Sequence, residues 1–162
     1  MKNVRPTSGR VISALFSILG GKVEDCEFLD LFAGTGRVGL EAVERGARST
    51  VFVESVKARA DDIKKRAGES LVLSLEIRRA VSWLVKRKMT FDIIFADPPY
   101  NSGWCESLPI IPNLSELFSP DAVMIIEHSS REPLKLTVNP NNLEITSTRE
   151  YGETCLSFLK ML

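Results

Sequence analysis

Apolar positions along this chain of 162 residues change period several times, and each change marks an element. In "TSGRVISALFSILGG", Val11, Leu15 and Leu19 recur every fourth residue. That spacing predicts an amphipathic helix, capped by Thr7 or Ser8 and ended by Gly20 and Gly21. "CEFLDLFAG" reads as a short buried strand from about Glu27 to Phe32, and "RVGLEAVERGA" as a helix with Leu40 and Val43 on its inner side. "STVFVES" predicts a second strand, "VKARADDIKKRAG" a second helix of this alternating series and "LVLSLEIR" a third strand. A short helix around Val81 to Lys88 leads to a fourth strand, "FDIIFA". A helix through "LPIIPNLSELF" and a fifth strand, "AVMIIEH", follow, and "LEITSTREY" and "TCLSFLKML" close the chain as two alternating strands.

Strands alternating with helices predict βαβ units and a parallel sheet. The early strands are apolar on both faces, as helices on both sides require, whereas the alternating closing pair suits an antiparallel edge. The expected architecture is one doubly wound α/β domain over residues 1–162, with about seven strands and an N-terminal helical segment over 1–22. Ligands of such sheets bind beyond the carboxyl ends of the strands.

Composition narrows the partners. Twenty-one Lys+Arg balance 21 Asp+Glu, so nucleic acid would have to be held by a local patch rather than by overall charge. Candidate patches are Lys2, Arg5 and Arg10, then Lys57 to Arg66, then Arg78 to Lys88. Cys26, Cys105 and Cys155 are far apart and the single histidine is His128, which argues against a metal site or a disulfide framework and for reduced thiols in a cytosol. Ser13 and Ser17 interrupt the N-terminal apolar run, and no stretch is long and apolar enough to span a membrane.

Two segments carry chemistry. "LDLFAGTGRVG" sets Gly34, Gly36 and Gly39 in G-x-G-x-x-G spacing between a strand and a helix, and Glu54 ends the next strand twenty residues after Gly34. Glycines let backbone lie against a ligand, and an acid at that distance can accept from both hydroxyls of a ribose. Nicotinamide, flavin and S-adenosylmethionine proteins share this pattern. Asp30, four residues before Gly34, favours the last, because a carboxylate there attracts an amino-acid ammonium and repels a pyrophosphate.

The second segment, "FDIIFADPPYNSGW", ends its strand in Asp97-Pro98-Pro99-Tyr100. An exocyclic amine on a nucleobase is a poor nucleophile, because its lone pair is delocalised into the ring. Two acceptors, the Asp97 carboxylate and the Pro98 carbonyl, can hold its two N–H bonds and let the nitrogen pyramidalise. The prolines stiffen this backbone and take no part in a ladder as donors. Tyr100 offers a face on which an unstacked base can lie. Trp83 and Trp104 read as packing residues, with Trp104 near enough to edge the pocket, and His128 as structural.

With these residues in place, the chain resembles the RsmD family of bacterial 16S rRNA (guanine-N2)-methyltransferases along nearly its whole length. "RPTSGRVISALF" is similar to the family's opening, "FLDLFAGTGRVGLEAVERGA" to its cofactor loop and helix, and "VFVES", "FDIIFADPPY", "IIEHS" and "REYGETCLSFL" follow in the family's order. The resemblance implies a Rossmann-like class I methyltransferase fold, with a mostly parallel seven-stranded sheet and an antiparallel C-terminal hairpin. It implies S-adenosylmethionine held by Asp30, Phe32, Gly34, Gly36, Glu54, Ala80 and Asp97. Asp97 and Pro98 would hold the guanine amine, with Tyr100 stacked on it and Pro99 beside it. The substrate implied is 16S rRNA, in an assembled small ribosomal subunit. The cysteine and histidine usage sets a cytoplasmic location without metal, and a monomer is the default expectation. Arg5, Thr7 and Arg10 match the opening motif and are candidates for RNA contact or for closing over the cofactor.

The chain departs from the family pattern at Gly9, Ser13 and Arg79, where the family has Asp, Glu and Asp or Asn. Adenine recognition would then rest on the Ala80 N–H. The chain starts almost at the opening motif, without the family's basic extension, so weaker RNA affinity is expected. Alternatives in view are an adenine-N6 or other nucleic-acid amino-methyltransferase, a nicotinamide oxidoreductase, which leaves Asp97 to Tyr100 unused, and a non-catalytic RNA-binding or assembly factor.

Overall fold

The computed structural model describes residues 8–162, so Lys2, Arg5 and Thr7 lie outside the described residues. α1 (Gly9–Leu19) begins where the Ser8 hydroxyl accepts from the Val11 N–H and ends at Gly20, whose φ of 54° no side chain opposes. Then come β1 (Glu27–Leu31), α2 (Arg37–Glu44), β2 (Ser49–Val53), α3 (Lys57–Arg66), β3 (Leu71–Leu73), α4 (Ile77–Lys86) and β4 (Phe91–Ala96). α5 (Trp104–Ser107), a 3₁₀ turn (Leu114–Leu117), β5 (Phe118–Ser129), β6 (Leu143–Tyr151) and β7 (Thr154–Met161) complete the chain.

The strands form one sheet in the order β3-β2-β1-β4-β5-β7-β6, parallel except for β7, which is antiparallel to both neighbours. Alternation along β1 explains the layers. Leu29 and Leu31 join Val51, Val53, Ile94 and Ile126 under Ile77, Val81 and Leu84 of α4 and Leu114 and Leu117 of the 3₁₀ turn. Phe28 faces the other way, with Ile93, Phe95 and Ile125, under Leu15 and Phe16 of α1 and Val38 and Ala42 of α2. Phe52, on that second face, packs on Ala60 and Ile63 of α3.

Four local expectations are corrected. The inner side of α2 is Val38, Gly39 and Ala42, while Leu40 is only half-buried and Val43 is 40% exposed. The third strand is three residues long rather than eight, because the Glu76 carboxylate accepts from the Arg78 and Arg79 N–H groups and starts α4 at Ile77. No continuous helix crosses "LPIIPNLSELF", where Pro109 and Pro112 interrupt the backbone donors and leave only the 3₁₀ turn. β7 is not an alternating edge: Cys155 to Leu159 are buried in unbroken series, and β6 is the exposed edge. His128 is structural: it is buried, with Nδ1 3.0 Å from the Ser129 carbonyl and Nε2 2.8 Å from the Ser157 hydroxyl.

Gly39 allows α2 its close approach to the sheet. A Cβ there would lie 2.3 Å from Cε1 of Phe52 and 2.9 Å from Oδ2 of Asp30. Gly39→Ala is therefore expected to destabilise the protein by about 1–3 kcal/mol through overpacking, measured as a lower urea midpoint at unchanged m-value.

Candidate active site

The site is built where β1 and β4 end side by side. Their parallel register pairs Leu31 with Ala96, so the loop opening at Phe32 and the segment opening at Asp97 leave the sheet as neighbours. The first loop turns through left-handed backbone at Phe32 (φ 56°), Gly34 (φ 59°) and Gly36 (φ 81°). A side chain at Gly36 would also strike Ile63, whose Cγ1 would be 2.9 Å away. Phe32 pays a steric cost of about 1–2 kcal/mol for that conformation. Its ring meets Trp104 of α5 edge to face, with centroids 5.1 Å apart.

Glu54, just past β2 and 5% exposed, faces this loop. Its Oε1 accepts from the Gly34 N–H at 3.0 Å and its Oε2 from the Val56 N–H at 2.6 Å, while Nη1 of Arg59 lies 3.9 Å from Oε1. A carboxylate has about four acceptor positions, so two remain for hydroxyls of a bound ribose. Arg66 of α3 donates to the Thr35 carbonyl from the far side. The loop is thus held in the open, side-chain-poor shape that a nucleoside-bearing cofactor requires, and these residues fit such a group.

Asp30 is placed more deeply than its spacing suggested. It is 1% exposed, and Oδ2 accepts from the Gly39 N–H at 2.9 Å, fixing the start of α2. Burial pushes its carboxyl up to about 8; the Gly39 bond opposes the rise, and the nearby charges of Asp97 and Glu54 add to it. Ala80 is not available as expected. Its N–H donates to the Glu76 carbonyl at 2.9 Å within α4, a consequence of the early helix start at Ile77.

After β4, Asp97 and Tyr100 are half-buried, Pro98 is buried and Pro99 is exposed. The Tyr100 hydroxyl lies 3.2 Å from the Thr154 hydroxyl at the start of β7, which anchors the turn across the sheet. Below it, the Asn101 N–H donates to Glu132 at 2.7 Å and the Ser102 hydroxyl donates to the Pro99 carbonyl. Arg10 is exposed on the first turn of α1. A Cβ on the adjacent Gly9 would stand 3.3 Å from Nη2 of Arg37, so α1 starts beside the start of α2 and near the glycine loop.

Two contributors and one pairing were not read from the sequence. Glu127 is buried and follows Ile126, the β5 partner of Ala96, which sets it level with Asp97. An acid closing an apolar strand was the signal that exposed Asp97, and "IIEHS" carries the same signal. Thr154 gave no local hint, because its partner lies 54 residues away. Arg78 places its guanidinium 4.5 Å from the centre of the Trp104 ring, a pairing visible only once α4 and α5 are folded.

A parallel sheet with one reversed strand in this order, carrying a glycine loop after β1 and an Asp-Pro-Pro-Tyr turn after β4, is the Rossmann-like class I methyltransferase fold. A ribosomal protein L11 methylase from Lactobacillus delbrueckii shares it at a TM-score of 0.73 and 13% identity, covering 99% of this chain and 90% of that one. The chain belongs to the RsmD-type family, whose model, described as conserved hypothetical protein 95, matches residues 1–160. The ribosomal RNA small subunit methyltransferase D of Buchnera aphidicola (strain Bp) is 31% identical over 87% of this chain and 73% of its own length. The solved structure of yhhF from Escherichia coli is similar at a TM-score of 0.77 and 27% identity, covering 97% of this chain and 89% of that one.

The buried Asp30 carboxyl has a consequence for stability. An unfolded aspartate ionises near pH 3.9, whereas Asp30 stays protonated in the folded chain until about pH 8. Between those values the folded state holds the extra proton, so stability falls as pH rises and levels off above about 8. Asp30→Asn is expected to flatten that slope, measured as the difference in urea midpoint between the variants from pH 5 to 9.

Proposed function

We propose that this protein transfers a methyl group from S-adenosylmethionine to the exocyclic N2 amine of a guanine in 16S rRNA of the small ribosomal subunit. The observation that carries this reading is the β1–β4 register, which sets the glycine loop and Asp97 side by side. The relatives named ribosomal RNA small subunit methyltransferase D support ribosomal RNA as the substrate class. The amine follows from the two acceptors of the Asp-Pro turn, and guanine N2 from the sequence resemblance.

When bound, the cofactor supplies an electrophilic methyl group on a sulfonium. Gly34 and Gly36 give it backbone to lie on, Glu54 accepts from its ribose hydroxyls, and Asp30, whose raised pKa an adjacent ammonium lowers again, orients that ammonium through its second oxygen or a water. Phe32 and Asp97 border it where the two loops leave the sheet. Asp97 and the Pro98 carbonyl hold the two N–H bonds of the target amine and turn its lone pair toward the methyl group, and the methylated nitrogen sheds its surplus proton to water along one of those bonds. The Tyr100 ring, fixed by Thr154, takes the base by stacking, worth about 1–3 kcal/mol per base. Pro99 forms the exposed lip of the turn, and Arg10, with Arg5 and Thr7, contributes RNA contact.

The charge on sulfur is dispersed rather than created during transfer, so positioning carries most of the rate, with about 7–11 kcal/mol available from it. The protein acts as a cytoplasmic monomer on an assembled subunit.

The test is transfer from labelled S-adenosylmethionine to small subunits lacking the modification and to naked 16S rRNA, read by nucleoside mass spectrometry. N2-methylguanosine is expected, and a different methylated nucleoside would reassign the target. Asp97→Ala should keep S-adenosylhomocysteine affinity and lose at least about a hundredfold in turnover; wild-type turnover would remove the amine clamp. Glu54→Ala should weaken that ligand by roughly tenfold to a hundredfold, the worth of charge-assisted hydrogen bonds. An unchanged dissociation constant, measured by calorimetry, would move the ribose contact elsewhere.

A further inference from the structure

One groove outside the pocket remains without a role. It runs between α4 and the segment before the 3₁₀ turn, has a volume of about 340 Å³ and is lined by Arg78, Ser82, Lys86 and Asn113 over an apolar floor of Val85 and Ile111 with Pro112. No acid lines it among the described residues. From Glu76 to Lys88 the chain carries five cations and one acid, although the whole chain is neutral. That acid, Glu76, reaches Nη1 of Arg78 at 3.4 Å and offsets only the upper end; Glu106 and Glu116 are exposed nearby. The neutral overall charge therefore conceals a concentrated positive stripe.

The stripe is also continuous with the proposed active site. Arg78 stacks on Trp104, Trp104 meets Phe32, and Trp104 lies a short way beyond the Asp-Pro-Pro-Tyr turn. Eight residues of helix separate Arg78 from Lys86, a rise of about 12 Å. Single strands are held by cationic grooves that track the backbone beside aromatic faces. Arg87, which caps the end of α4, stacks on Trp83 at 3.5 Å and adds a second such pair.

We infer that the groove between α4 and the 3₁₀ turn holds the sugar-phosphate backbone of the RNA strand flanking the target nucleotide, with Arg78 and Lys86 on alternate phosphates and Ser82 and Asn113 as neutral donors to the phosphate between them. The inference rests on the RNA-methyltransferase reading above. It gives the strand-holding role to the Arg78 to Lys88 patch, one of the three the sequence offered.

The test measures filter binding of 16S rRNA and KM for its methylation at several salt concentrations. It compares the wild type, Lys86→Glu, Arg78→Gln and a charge-matched control, Lys22→Glu, at the amino edge of the sheet. Both groove variants are expected to raise Kd and KM about tenfold and to lower the salt slope by about one, the effect falling on KM rather than kcat. S-adenosylhomocysteine affinity and the Lys22→Glu variant should match the wild type. Wild-type Kd, KM and slope in both groove variants overturn the inference and leave the methylation reading intact. RNA binding that both variants weaken, without methyl transfer by the wild type, supports the groove and overturns the methylation reading. A dimer dissociated by the same variants, with RNA binding unaltered, overturns RNA as the occupant in favour of a second copy.

Discussion

The parallel pairing of β1 with β4 is the constraint on which the rest of the site depends. These strands are separated by the whole of residues 32–90, yet Leu31 and Ala96 end in register. Much of the site then follows within a few residues on either side: the left-handed turn at Phe32, the glycines beyond it, and the aspartate and prolines opposite. A slip of one residue would turn Asp30 and Phe28 to the α4 face and Leu29 and Leu31 to the α1–α2 face. Burial on both faces resists such a slip, because each strand carries large apolar side chains on both sides.

Charge at the carboxyl edge is arranged around that pairing. Asp30 and Glu127 stand near the carboxyl ends of β1 and β5, Glu54 and Asp97 directly follow β2 and β4, and three of the four are buried. Such a concentration of acids suits a cationic cofactor and would repel a polyanion placed over it. Phosphates are better received to one side, where Arg78 and Lys86 stand on α4, than directly above the strand ends. On the proposed reading, the same division gives a neutral protein a basic surface for RNA beside an acidic pocket for the methyl donor.

Much of this was legible from the chain. The α/β alternation, the antiparallel closing pair and the placement of the glycine loop after the first strand all follow from local patterns of apolar residues and turns. What misled was local competition. A glutamate able to cap a helix shortened the third strand and drew the Ala80 N–H into α4. In α2, the small residues Gly39 and Ala42 pack inward because the sheet is close, which a search for large apolar residues passes over. Contacts such as Tyr100 with Thr154 or Arg78 with Trp104 join distant segments and have no period to betray them.

The position of β7 has a further bearing, on how the molecule comes to exist. It lies between β5 and β6 although it follows both in the chain. Until it is made, β5 offers an unpaired, apolar edge, the kind that recruits other strands. Early segments emerge and begin to fold first, so five of the seven strands wait beside that open edge for the missing member. The same strand brings Thr154 to Tyr100. Closing the edge and finishing the pocket are therefore a single event, and a chain that can aggregate through β5 is one whose pocket is still incomplete.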